Sequence, residues 1–186
     1  MFVRERNSAT YQVSSYYISK MFLEIPVEIF STILWASILY FAVPLKLTPG
    51  AFFFYILIIV LSADCGVAMA QLAAAMFDSQ EVATAILVII MSMMVIFSGF
   101  FIHQTNIPDW WIWMYWISYA HYGIAAMFIN EFSDNSDYGT NGPAVLSSLS
   151  LTNVNQFLMM AGLLVALIII RLLSYLGFRF RKIQKQ

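Results

Sequence analysis

The chain has 186 residues, of which 61% are hydrophobic, 17% aromatic and only 10% charged, where a soluble domain carries roughly a quarter charged residues. A soluble globular domain is excluded on that ground, and so is a disordered chain, which needs low hydrophobicity and high charge. Nine Lys and Arg against ten Asp and Glu leave a formal net charge of -1; with no basic surplus to neutralise phosphates, nucleic acid is not an expected partner.

From the N-terminus, Phe2 to Ser19 is polar and tyrosine-rich where a secretory signal would carry a compact apolar core. A helix needs about 20 mostly apolar residues to cross about 30 Å of hydrocarbon, and the stretches 21–45, 51–77, 82–102 and 157–178 meet that length. The predicted fold class is therefore an all-α integral membrane protein with four transmembrane helices.

In the first span Glu24 and Glu28 stand four apart, hence on one helix face, with Pro26 between them removing one backbone hydrogen bond. They either reach the interface and pair with Lys20 or belong to a polar path, because ionisable groups inside membranes are functional by default. A short outer turn, Pro44 to Gly50, carries Lys46. In the second span Asp64 lies near the middle, beside Gly66 and before Gln71, so it must be protonated, paired or facing water. Cys65 is the single cysteine; it excludes an intramolecular disulfide and reads as a small core residue. In the third span Met91, Met93, Met94 and Phe97 form a soft patch suited to helix packing or to varied lipophilic ligands.

The segment 103–156 has no Lys or Arg but carries Asp109, Glu131, Asp134 and Asp137, as expected of an external segment. Within it Trp110, Trp111, Trp113, Tyr115, Trp116, Tyr119 and Tyr122 give an aromatic density typical of a membrane interface. A fifth span there would put the basic C-terminus outside, so this part is predicted to be a re-entrant or interfacial helical hairpin that starts after Pro108, followed by a water-exposed loop from Ser133 to Gly142. Arg171 in the last span is expected to snorkel toward the basic tail of Arg179, Arg181, Lys182 and Lys185. Arg4, Arg6 and Lys20 at the other end complete the asymmetry, which places both termini in the cytoplasm by the positive-inside rule.

Catalytic patterns are missing: there is no GxxxxGK[ST], HExxH or GxSxG, so the chain is not expected to be an enzyme or to bind ATP through a phosphate loop. His103 and His121 stand far apart with no third ligand near either, so no metal site is expected.

Three motifs in order resemble the transmembrane domain of ABC transporters of the G subfamily, the White/Brown half-size type of the ABC-2 export superfamily. They are Phe2-Val-Arg-Glu-Arg to Tyr11 with Tyr16-Tyr17, Lys20 and Glu24-Ile-Pro26; Phe97-Ser-Gly-Phe-Phe101 with Ile107-Pro108, Trp113, Tyr115-Trp116-Ile-Ser118-Tyr119 and Tyr122-Gly123; and Arg171-Leu-Leu-Ser-Tyr175-Leu before the basic tail. The resemblance covers nearly the whole chain, 1–186, as a partial domain that starts before the family's third membrane helix, without the ATPase domain and first two helices.

The resemblance implies roles position by position. Residues 1–20, with Arg4, Glu5 and Arg6, fall on an amphipathic connecting helix that touches the ATPase domain, and Asp78, Ser79, Gln80 and Glu81 on an inner turn where ATPase motion is passed on. Val88, Ser92 and Val95 match positions lining a central cavity between two protomers, and their spacing independently puts them on one helix face. Phe100 and Phe101 match an apolar plug forming the outer gate. The implied function is the membrane part of an ATP-driven exporter of sterols, other lipids or amphipathic drugs. It is expected in the plasma membrane or an intracellular membrane, with a second transmembrane half as homo- or heterodimer. No cofactor is expected in this chain; ATP and Mg are implied for an ABC ATPase domain, supplied by the missing region or another chain. The alternative is a non-transporting scaffold or regulatory subunit that dimerises with full-length relatives.

Overall fold

A computed structural model describes residues 13–133 and 141–180, and the regular elements among them are all helical. They are α1 (Val13–Ala42), α2 (Pro49–Met76), α3 (Gln80–Ile96), a single 3-10 turn (Gln104–Asn106), α4 (Ile112–Ile117), α5 (Tyr119–Phe132), α6 (Asn141–Ser148) and α7 (Gln156–Phe180). Residues 13–20 run without a break into the first predicted span. The rest of the expected connecting helix, with Arg4, Glu5 and Arg6, lies outside the described residues, as does most of the predicted loop 133–142.

Among the described residues, three helices are long and apolar enough to cross a membrane, at Met21–Ala42, Pro49–Met76 and Gln156–Arg179. Over the third predicted span, 82–102, the helix α3 has 17 residues and ends at Ile96, a rise of about 25 Å against about 30 Å of hydrocarbon. Apolar character continues to Ile102, which is why hydropathy extended the span. The backbone stops because Gly99 takes a φ of +95°, a conformation that residues with a Cβ rarely adopt.

The helix starts follow local chemistry. Pro49 begins α2, where its missing N–H is no loss, and Glu81 sits in the first turn of α3, where a carboxylate suits the positive end of the helix dipole. Where hydropathy alone suggests one aromatic-rich segment, Ser118 breaks it into α4 and α5. Its Oγ accepts the His121 backbone N–H at 3.3 Å as the cap of α5 and donates to Met94 O of α3 at 2.7 Å.

α2 is the central helix, packed against α1, α3, α5 and α7. Its neighbour α5 runs antiparallel along the first half of α2. Tyr119 comes near Gly66, Gly123 lies against Ser62, and Asn130 Nδ2 donates to Ala51 O at 3.2 Å. This approach is close because the α5 face is made of small residues, including Ala120, Gly123 and Ala126. A Cβ on Gly123 would stand 2.7 Å from Ser62 Oγ. Ile58, Cys65 and Leu163 are fully buried where α2, α5 and α7 meet; Leu163→Ala there costs about 2–5 kcal/mol. Elsewhere the surface is strongly apolar, with Phe22, Leu23 and Phe30 each at least 70% exposed on α1. A chain with hydrocarbon as its solvent tolerates such a surface, and a chain in water does not.

Candidate functional site

The intramembrane polar residues Glu24 and Asp64 come together, although they arise on different helices. Arg171 of α7 forms an ion pair with Asp64 Oδ1 of α2, and its other terminal nitrogen donates to Gln71 Oε1 at 2.8 Å. Gln71 Nε2 in turn donates to Glu24 Oε2 of α1 at 2.7 Å. The chain Asp64–Arg171–Gln71–Glu24 thus ties three helices. Each carboxylate gains the partner that a charge in low dielectric requires. Glu28 stays beside this chain in an open groove of about 670 Å³ between α1 and α2, lined also by Glu24, Val67 and Gln71.

One expectation is corrected here. Arg171 does not snorkel toward the basic tail: its side chain is 11% exposed and turned toward Asp64. Glu24, expected either to pair with Lys20 or to join a polar path, meets Gln71, about two turns beyond Asp64 on α2, an arrangement that spacing within α1 could not reveal. Arg171 and Gln71 were therefore missed as site residues. The signal was available in the rule that an intramembrane charge takes a charged partner, with one Arg and one Asp deep in their spans.

The predicted cavity stripe lies on the face of α3 that no other part of the described chain covers. Val88 is 58% exposed and Val95 37%, and Ser92 beside them is exposed as well. Ser92 Oγ donates to Val88 O at 2.7 Å, so its proton is used within the helix and the stripe presents an almost wholly apolar surface. The methionine patch divides: Met94 is buried against the core while Met93 joins the open face.

Above the stripe the chain turns through Ser98, Gly99 and Phe100. Phe100 rests on Phe128 of α5 with ring centroids 5.6 Å apart, and Phe101 meets Phe100 edge-on at 5.0 Å. Phe101 remains 64% exposed. Beneath the turn are Tyr115 and His121, ring centroids 4.0 Å apart, and His121 Nδ1 is 2.9 Å from Ser98 O. Burial pushes the His121 imidazole below its usual value, opposed by that bond to Ser98. It likewise pushes the Tyr115 phenol up to about 12.

Of the residues expected to couple to an ATPase, Asp78 and Glu81 sit exposed at the turn between α2 and α3. At the opposite end of α2 lies Glu131, one of the acids of the predicted external segment. It is 7% exposed and accepts the Lys46 backbone N–H at 3.0 and 3.2 Å, fastening the α1–α2 turn to the end of α5.

The model of the ABC-2 type transporter family matches residues 1–132. ABC transporter G family member 1 of Arabidopsis thaliana is 32% identical over 151 residues, 81% of this chain and 20% of that protein. ABC transporter G family member 1 of Dictyostelium discoideum is 28% identical over 138 residues, 72% of this chain and 17% of that protein. The broad substrate specificity ATP-binding cassette transporter ABCG2 of Rattus norvegicus is 32% identical over 133 residues, 71% of this chain and 20% of that protein. The chain spans about a fifth of the length of these relatives. With its apolar helices and a match over most of its length, the chain belongs to the ABC-2 type transporter family, as a relative of the G-family ABC transporters.

Proposed function

We propose that the chain is the membrane-spanning part of an ATP-driven exporter of lipophilic molecules. In this reading α1, α2, α3 and α7 are four spans, both termini are cytoplasmic, and 103–156 is external. α3 completes its crossing with the turn that follows it. The antiparallel packing of α5 along the first half of α2 supports a re-entrant hairpin, because the Ser118 break then lies at the depth of Met94 and Gly66.

The observation that carries the reading is the uncovered apolar stripe of Val88, Ser92 and Val95 beneath the Phe100–Phe101 pair. A second transmembrane half facing that stripe would enclose a cavity with no charge on this wall, which suits sterols, other lipids or amphipathic drugs better than ionic cargo. The broad substrate specificity in the name of the rat relative accords with such a wall. ATP and Mg would act on an ABC ATPase domain, whose closure pushes on the turn at Asp78 and Glu81 and on the segment with Arg4, Glu5 and Arg6. The helices then tilt, and access passes from inside to outside past Phe100 and Phe101.

Ser92→Trp in the full gene product, assembled with an ATPase domain in proteoliposomes, tests this. The expected result is loss of cargo binding with the protein still folded and dimeric. Loss of folded protein would mark the stripe as a helix contact instead, since overpacking costs about 1–3 kcal/mol. Intact dimerisation without any transport by the unaltered protein would leave the scaffold reading. Labelling of Asp137→Cys from outside tests the topology; Cys65 is fully buried and does not compete.

A further inference from the structure

We propose that His121 is a positioning residue for the outer gate: through Nδ1–H it fixes the Ser98–Gly99–Phe100 turn, and through Nε2 it takes a single buried water. The inference rests on the reading of Phe100 and Phe101 as that gate.

The tautomer follows from the partner. Ser98 O is a carbonyl and only accepts, so at 2.9 Å His121 Nδ1 must carry the proton. Nε2 is then a lone-pair acceptor. The side chain is 2% exposed, and Nε2 has no hydrogen-bond partner among the described residues. Buried acceptors of this kind are normally satisfied by protein or by ordered water. His121 lines a cavity of about 10 Å³, with Ser98, Gly99, Phe100 and Tyr115 among its other walls. That is room for about one water molecule, and three of its walls, Ser98, Gly99 and Phe100, belong to the gate turn itself.

The turn cannot simply settle without the histidine. Gly99 has a φ of +95°, and a Cβ there would stand 2.9 Å from Tyr115 Cε2, so the turn already sits against the Tyr115 ring. Ser118, three residues before His121, holds Met94 O from the same hairpin. The end of α3 and the gate turn are therefore registered on α5 by two hydrogen bonds, one from Ser118 to the helix and one from His121 to the turn. Only the second reaches the residue next to Gly99 and Phe100.

Two measurements test this on the full protein. Nitrogen-15 NMR of histidine-labelled wild type should show His121 with its proton on Nδ1 and a hydrogen-bonded, unprotonated Nε2 at pH 7. A proton on Nε2 overturns the proposal without any substitution. The second is ATP-independent efflux of a lipophilic dye from proteoliposomes. His121→Phe keeps the ring but removes the donor, and efflux should rise roughly tenfold, as expected when one buried hydrogen bond is lost and the closed turn is correspondingly less populated. His121→Asn places an amide N–H where Nδ1 stood, and it should restore low efflux. Equal efflux from the two variants, high or low, refutes a role through the Ser98 bond. Phe100→Ala with Phe101→Ala separates the two claims. If this pair leaks and His121→Phe does not, the gate stands and the positioning role falls; if this pair stays tight, the gate reading falls and takes the positioning role with it. Should His121→Phe fail to fold, the NMR result together with efflux from His121→Asn decides.

Discussion

Replacing Arg171 by Met separates two opposite accounts of an arginine in an apolar helix. If Arg171 only snorkelled to the interface, its charge would already sit in water and removing it would cost little, leaving Tm about unchanged. The structure predicts a loss instead. Arg171 pairs with Asp64 and donates to Gln71, and its side chain is only 11% exposed. Arg171→Met leaves the Asp64 carboxylate at membrane depth and frees Gln71 Oε1, so the expected loss is about 3–5 kcal/mol, the range for breaking a buried pair from one side. For a domain of this size 1 kcal/mol shifts the midpoint by about 2–4 °C, so Tm in detergent or nanodiscs should fall by roughly 6–20 °C. Asp64→Leu should cost a similar amount. Asp64→Leu with Arg171→Met should recover most of it, since apolar replacement of both partners is often neutral. The double-mutant cycle should show a coupling of at least about 1 kcal/mol. A Tm of Arg171→Met at or above wild type, or additive single effects, would refute the pairing.

Gly99→Ala should destabilise by about 1–3 kcal/mol through its positive φ and the Tyr115 ring 2.9 Å from the added carbon, measured as a lowered Tm; an unchanged Tm would show that the turn relaxes freely. Glu131→Gln keeps an acceptor for the Lys46 N–H but loses its charge, whereas Glu131→Leu leaves that N–H unsatisfied at a cost of about 1–3 kcal/mol, so thermal stability should fall further for Leu than for Gln. His121 binds fewer protons folded than unfolded because burial lowers it. Its contribution is therefore present above the unfolded value of 6.5 and is lost as pH falls through that value toward the lower folded one. The Tm advantage of wild type over His121→Asn, which does not titrate, should shrink between pH 7 and pH 5. A constant difference would mean that His121 is exposed to bulk solvent and not lowered by burial.

The membrane class, the helical fold and the family were legible in the sequence, because a long apolar run has few other physical uses and because the motifs Phe97–Phe101 and Trp113–Gly123 stand in a fixed order. The stripe of Val88, Ser92 and Val95 was legible for a related reason: helical spacing assigns residues to a face before any partner helix is known. Where α3 ends was not legible, since hydropathy scores Phe97 to Ile102 as it scores the helix before them, and only the φ of Gly99 marks the stop. Nor was the role of Arg171, because snorkelling is decided by distance along one helix, while its pairing with Asp64 depends on how α2 and α7 lie side by side. Glu131 shows the same limit. An acid in a segment without basic residues reads only as an external charge, and its bond to the Lys46 amide emerges once the α1–α2 turn is placed against the end of α5. Periodicity and composition act along the chain and fix which elements form; contacts between residues separated by scores of positions depend on packing, which only the tertiary structure decided.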